Sequence, residues 1–130
     1  MAVRNIYEEW MGLGGKQPIT LSFTGAANVD VDSYYLQADN MVYLYVPQFN
    51  VLTTANGSLI AELPFTIQNA TNFIGISLND DASEMNSITI GREIDNQANL
   101  TITGSIAGTG FASGTNCGTY SGQTLAFNLN

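Results

Sequence analysis

Ile19-Thr20-Leu21-Ser22-Phe23 alternates apolar and hydroxyl-bearing residues. Ile74-Gly75-Ile76-Ser77-Leu78 and Asn99-Leu100-Thr101-Ile102-Thr103 repeat the pattern. Successive side chains of an extended chain point to opposite faces. Each segment therefore puts its apolar residues on one face and Ser or Thr on the other, as a half-buried strand requires. Roughly eight such segments follow one another, divided by turn residues.

Working outward, residues 17–24 form the first predicted strand, opened by Pro18, and 25–28 turn the chain. Residues 29–36 follow, with Val29, Val31, Ser33 and Tyr35 on one side and Asp30 and Asp32 on the other. Met41–Val46 is apolar on both faces, with Val42, Leu44 and Val46 opposite Met41, Tyr43 and Tyr45; this predicts a central strand covered on both sides. Residues 49–54 run to Asn56-Gly57, a strong hairpin signal because both residues tolerate positive φ. Residues 59–65 place Leu59, Ala61, Leu63 and Phe65 on one face, with Pro64 implying an edge or a break. Further strands are expected at 73–78, 87–91, 98–106 and 123–129, with an acidic turn at 79–86 and a Gly-rich loop at 107–122. The pattern is that of a single-domain, all-β antiparallel sandwich, jelly-roll-like, spanning 17–130.

Residues 1–16 read differently. Asn5 suits the cap of a short helical turn carrying Glu8 and Glu9, with Ile6, Trp10 and Leu13 or Met11 on one side and Gly12, Gly14 and Gly15 at its end. A helical or extended segment is expected there, acting as a docking peptide, a plug or a shaft stub. It lacks the basic-then-apolar layout of a signal peptide.

Composition excludes several functions. Charged residues are 11% of the chain, against about 25% in typical soluble proteins. So few charges favour either an uncharged Thr/Asn/Ser surface or burial in an oligomer. Net charge is −8, and Arg4, Lys16 and Arg92 are the only cations. Nucleic-acid binding needs clustered cations to neutralise phosphates, so it is rejected, as is attraction to an anionic bilayer. No stretch approaches the ~20 apolar residues of a membrane-spanning helix, and no membrane insertion is expected. Cys117 stands alone and the chain has no His, which removes Cys-His and Ser-His catalysis and the usual zinc ligands. No enzymatic activity, catalytic residue or cofactor is expected.

The remaining carboxylates offer two candidate kinds of site. Asp80, Asp81 and Glu84 form the densest cluster; oxygen ligands from a loop suit Ca²⁺, but a solvated acidic turn is the commoner arrangement. Glu62, Glu84, Glu93 and Asp95 are the carboxyls from which a glycosidase pair would be drawn, but no spacing places two of them across a cleft. Asn56-Gly57-Ser58, Asn69-Ala70-Thr71 and Asn99-Leu100-Thr101 fit the N-glycosylation acceptor pattern. Asn116, Thr119 and Tyr120, in the Gly-rich loop, are the candidate contacts to a sugar through hydrogen bonds and ring stacking.

Residues 34–46, YYLQADNMVYLYV, resemble a pattern in the C-terminal head domains of phage and large-virus fibres. There an aromatic-bearing strand leads through a turn into an alternating hydrophobic strand, followed by a Leu-Pro segment, here Glu62-Leu63-Pro64-Phe65, and a closing strand such as 125–129. The chain departs from that pattern at Asp39, where Gly is common, and shows no shaft repeat before residue 17. Such heads are similar to trimeric jelly rolls of the C1q and tumour-necrosis-factor type. The resemblance implies a homotrimer on a virion surface that binds a host-surface receptor or glycan. Tyr34, Tyr35, Tyr43, Tyr45 and Trp10 are then the candidate oligomer interface, because tyrosine joins a large apolar area to a hydroxyl. The alternative is a carbohydrate-binding module or adhesin domain of a secreted bacterial protein, monomeric and with an aromatic platform on one face.

Overall fold

A computed structural model describes residues 16–130. The expected N-terminal turn, with Trp10, lies outside the described residues. The strands are β1 (Lys16–Gly25), β2 (Val29–Ala38), β3 (Met41–Val46), β4 (Phe49–Leu52), β5 (Leu59–Thr66), β6 (Thr71–Asn79), β7 (Ala82–Arg92), β8 (Gln97–Ile102), β9 (Asn116–Thr119) and β10 (Gln123–Asn128). They form one antiparallel sheet of ten strands in the order β10-β3-β2-β1-β5-β8-β7-β6-β9-β4. The protein is all-β, and the curled sheet is sandwich-like.

Two features curl it. β1 belongs to both halves: Lys16–Phe23 pair with β2, while Thr24 and Gly25 pair with Ile60 and Leu59 of β5. β3 and β4 lie near opposite ends of the strand order, yet only Pro47 and Gln48 join them. Three residue steps reach at most about 11 Å, so the two ends of the sheet are drawn together. Within the second half, the order β5-β8-β7-β6 is a Greek key.

The fold of the sheet brings its inner faces together. Phe23 stacks on Phe49 at 5.1 Å, and Phe65 meets Tyr35 and Phe127 edge-on at 4.9 and 5.9 Å. Leu21, Leu44, Leu59, Leu63, Ile90, Leu100, Ile102 and Leu125 are fully buried among them. Each such side chain contributes roughly 1.5–3 kcal/mol of transfer free energy. In β5 the expected alternation holds residue by residue, Leu59, Ala61, Leu63 and Phe65 facing in. Pro64 falls where the β5–β8 register shifts, which is the break its missing N–H implies.

Four expectations are corrected. Asn56-Gly57 does not close a hairpin: β4 pairs with β9 and β5 with β8, and Gly57 instead exchanges backbone bonds with Phe111. The acidic turn is shorter than 79–86. Asp80 and Asp81, at φ 54° and 63°, form a two-residue turn, and β7 starts at Ala82. Residues 82–85 are exposed on both faces, so they pair by backbone without any hydrophobic alternation to reveal it. Residues 107–122 are not one long loop, because β9 sits inside them between β6 and β4. β3 is covered on one face only: Val42, Leu44 and Val46 are buried, while Tyr43 is exposed and Met41 and Tyr45 are half-buried.

Thr53 anchors the segment before β9. It is buried, its Oγ1 donates to the Ala112 carbonyl at 2.6 Å and accepts from the Thr115 N–H at 3.0 Å, and its backbone bonds Thr115 and Gly114. Thr53→Val keeps the shape but leaves the Thr115 N–H without its acceptor, while the Ala112 carbonyl keeps only the Thr115 hydroxyl. Its expected cost is about 1–3 kcal/mol in urea unfolding. A midpoint unchanged from the parent would show that Thr53 does not hold this segment.

Candidate functional site

The outer face of β2 and β3 carries the aromatic cluster. Leu36 is the register partner of Tyr43, and Tyr34 and Tyr45 come next along the same face. Their rings stack, with centroids 5.0 Å apart and planes 13° apart. Lys16 Nζ lies 4.1 Å from the Tyr34 ring centroid, a cation–π contact. The Tyr45 hydroxyl end rests over Gly122, where any side chain would overlap it. Tyr43 is 36% exposed. Strand geometry makes this platform: residues two apart share a face, and the right ladder register brings the two pairs level.

The candidate interface residues divide. Tyr34, Tyr43 and Tyr45 lie on this face. Tyr35 points inward against Phe65 and packs on the core, because it alternates with Tyr34. The candidate sugar contacts divide too. Thr119 is buried, its Oγ1 donating to the Pro47 carbonyl and accepting from the Phe49 N–H, so it is structural. Asn116 is exposed in β9 opposite Leu52, and Tyr120 is 50% exposed just past β9.

The acidic candidates take local roles. Asp80 and Asp81 are the β6–β7 turn, and the Glu84 carboxylate accepts from Asn79 Nδ2 at 2.9 Å. The described residues contain no group of three His, Cys, Asp or Glu positioned for a metal ion. Glu84 and Glu93 lie at opposite ends of β7, Asp95 is in the turn before β8, and Glu62 is on β5. Asp30 and Asp32 are solvent-exposed, with Thr20 Oγ1 at 3.5 Å from Asp32. Cys117 is buried on β9 beside Thr115 Oγ1. No described helix is long and apolar enough to cross a membrane.

Two surfaces escaped the sequence reading. Where β1 leaves β5, a groove of about 540 Å³ opens, lined by Thr20, Ser22, Thr24, Ile60, Glu62 and Asn99. It is polar, and it holds no pairing of nucleophile and base. The second is the outer face of β6. Gly75 and Ser77 turn inward, where Gln123 and Ile88 crowd Gly75 and Ser77 Oγ bonds the carbonyls of Glu84 and Gly104. Ile74 and Ile76 therefore face solvent, 62% and 45% exposed. Met85, the register partner of Ile76, is 55% exposed, and the Tyr120 N–H bonds the Ile76 carbonyl from the other side. Met85, Ile76 and Tyr120 thus form an apolar row across three strands, with Ile74 beside it. The alternation was visible in the sequence; that its apolar side is the outer one was not.

No protein-family model matches this chain, and comparison with curated proteins finds no significant relative.

Proposed function

We propose that this chain is a non-enzymatic structural and attachment domain, the homotrimeric head of a viral fibre or spike, which binds a host-surface receptor or glycan from the virion surface. The observation that carries this reading is the tyrosine face of β2 and β3, where Tyr43 is 36% exposed and Tyr34 and Tyr45 are half-buried. Stacked, half-exposed tyrosines on a rigid sheet bury much apolar area at little entropic cost, as an interface between copies demands. The low charge content of 11% agrees, since charges are depleted at interface centres. The same face supports the second reading, a carbohydrate-binding module or adhesin domain of a secreted bacterial protein, because flat aromatic rings also stack on sugars.

Solution mass separates the two. Light scattering on a size-exclusion column is expected to give three times the 13.9 kDa of one chain. A mass of 13.9 kDa overturns the trimer and leaves the monomeric carbohydrate-binding reading, to be followed by a glycan screen against Tyr43→Ala.

A further inference from the structure

We infer that the groove between β1 and β5 is a saccharide-binding site, and that it takes a neutral oligosaccharide. The inference rests on the attachment reading in its glycan form. It goes beyond that reading by assigning the class of sugar and the place, a groove that none of the tyrosines lines. The first ground is the shape. β1 is tied to β5 only at Thr24 and Gly25, while Lys16–Phe23 pair with β2. Gly25, at φ +97°, fixes the apex, because a Cβ there would overlap the Ser58 carbonyl oxygen. From that apex the two strands part, and the opening is about 540 Å³, within the roughly 300–1,000 Å³ of small-molecule sites.

The second ground is the lining. Thr20, Ser22 and Thr24 alternate along β1, so their exposed hydroxyls stand on one face at a spacing of about 7 Å. Glu62 of β5 and its register partner Asn99 of β8 line the other side, and Ile60, 37% exposed, adds an apolar contact. A sugar ring fits this mixture. Its hydroxyls donate and accept at once, as those of Ser and Thr do, a carboxylate accepts from them, and its C–H face rests on an aliphatic side chain. Asn99 gives a third ground. Its Oδ1 is buried without a hydrogen-bond partner, which is unfavourable for a polar atom. A turn of that carboxamide, which lines the groove, lets the oxygen accept from a bound hydroxyl. Charge fixes the class of sugar. Asp32 and Asp30 are the register partners of Thr20 and Ser22, and with Glu62 they make the surroundings acidic. Among the described residues the cations are engaged elsewhere, Lys16 on the Tyr34 ring and Arg92 on the Gln68 carbonyl. A sialylated or sulfated sugar would meet repulsion and no counter-charge.

The test is a printed array of neutral, sialylated and sulfated oligosaccharides probed with the full chain, followed by calorimetric titration of the strongest neutral member. The parent is expected to bind neutral members and to leave the acidic ones. Glu62→Gln keeps the shape and removes the charge; it is expected to weaken the titrated affinity about tenfold, the share of a hydrogen bond to a charged group. Ser22→Ala, across the groove, is expected to weaken it about fivefold. Both positions are exposed, so the circular dichroism of each variant is expected to match the parent. Parent affinity in both variants overturns the inference; a loss in Tyr43→Ala then moves the sugar to the tyrosine face and keeps the attachment reading. Binding confined to sialylated or sulfated members also overturns the inference and keeps that reading. An array on which nothing is bound removes the inference and the glycan form of the reading together, whatever the solution mass.

Discussion

Gly118→Ala is expected to cost about 3 kcal/mol or more, a large share of the 5–15 kcal/mol that holds a typical domain together. Gly118 sits in β9 at φ +148°, paired with Asn50 on one side and Leu78 on the other. A side chain there is strained by the backbone conformation alone. It would also overlap the Phe49 carbonyl oxygen and lie 3.0 Å from the Phe49 carbonyl carbon, and backbone cannot swing aside as a side chain can. The neighbouring strand must move, and among the described strands β9 is the ladder partner of β4. Urea unfolding of the variant reads this as a midpoint shift. A shift under about 1 kcal/mol would mean that β4 and β9 do not approach as closely as described.

Phe111→Ala is expected to cost about 3–5 kcal/mol, the range for emptying a large aromatic site in a packed core. Phe111 is 1% exposed and joins the main hydrophobic cluster, although it comes from the Gly-rich stretch. Its backbone exchanges two bonds with Gly57, at 2.7 and 3.0 Å, which ties residues 107–115 across to the loop before β5. Gly110 makes that approach possible, since any Cβ on it would meet the Gly57 backbone 2.6 Å away. The variant therefore loses core contacts and loosens the segment leading to β9. Thermal unfolding should show a lowered, still cooperative transition. An unchanged melting temperature would place Phe111 outside the core.

Phe111 also marks where the sequence could not be read. A lone apolar residue between Gly110 and Ala112 has no alternating partner, so nothing local distinguishes it from an exposed loop residue. The same holds for Asn116–Thr119, whose Asn, Cys, Gly and Thr have no strand pattern and whose pairing with β4 and β6 is supplied by distant residues. Ser83–Met85 escaped for a related reason: their side chains are exposed on both faces, and the β6–β7 ladder with the Ser77 and Asn79 bonds to Glu84 holds them. By contrast, Leu21 and Phe23, then Val42, Leu44 and Val46, then Leu59, Ala61, Leu63 and Phe65, and finally Leu125 and Phe127 each share the buried face of their strand, grouped as their alternation groups them. Of the candidate site, Tyr34, Tyr43 and Tyr45 share one outer face; alternation separates Tyr35 from Tyr34, and the β2–β3 register separates it from Tyr43 and Tyr45.

The sequence by itself determined the all-β class, most strand positions and which residues of a strand travel together. These follow from the period of two, a property of the extended backbone that needs no distant partner. Only the tertiary structure decided which side of a strand faces the core and which strand lies beside which. Alternation is symmetric: it says that Ile74 and Ile76 oppose Gly75 and Ser77, and packing against Gln123 and Ile88 then chooses the small residues for the inside. The β4–β9 pairing is likewise set by the curl that two-residue linkage imposes between β3 and β4, so Asn56-Gly57 serves a turn between strands that never meet. The surfaces on which the proposed function rests are consequences of those non-local choices.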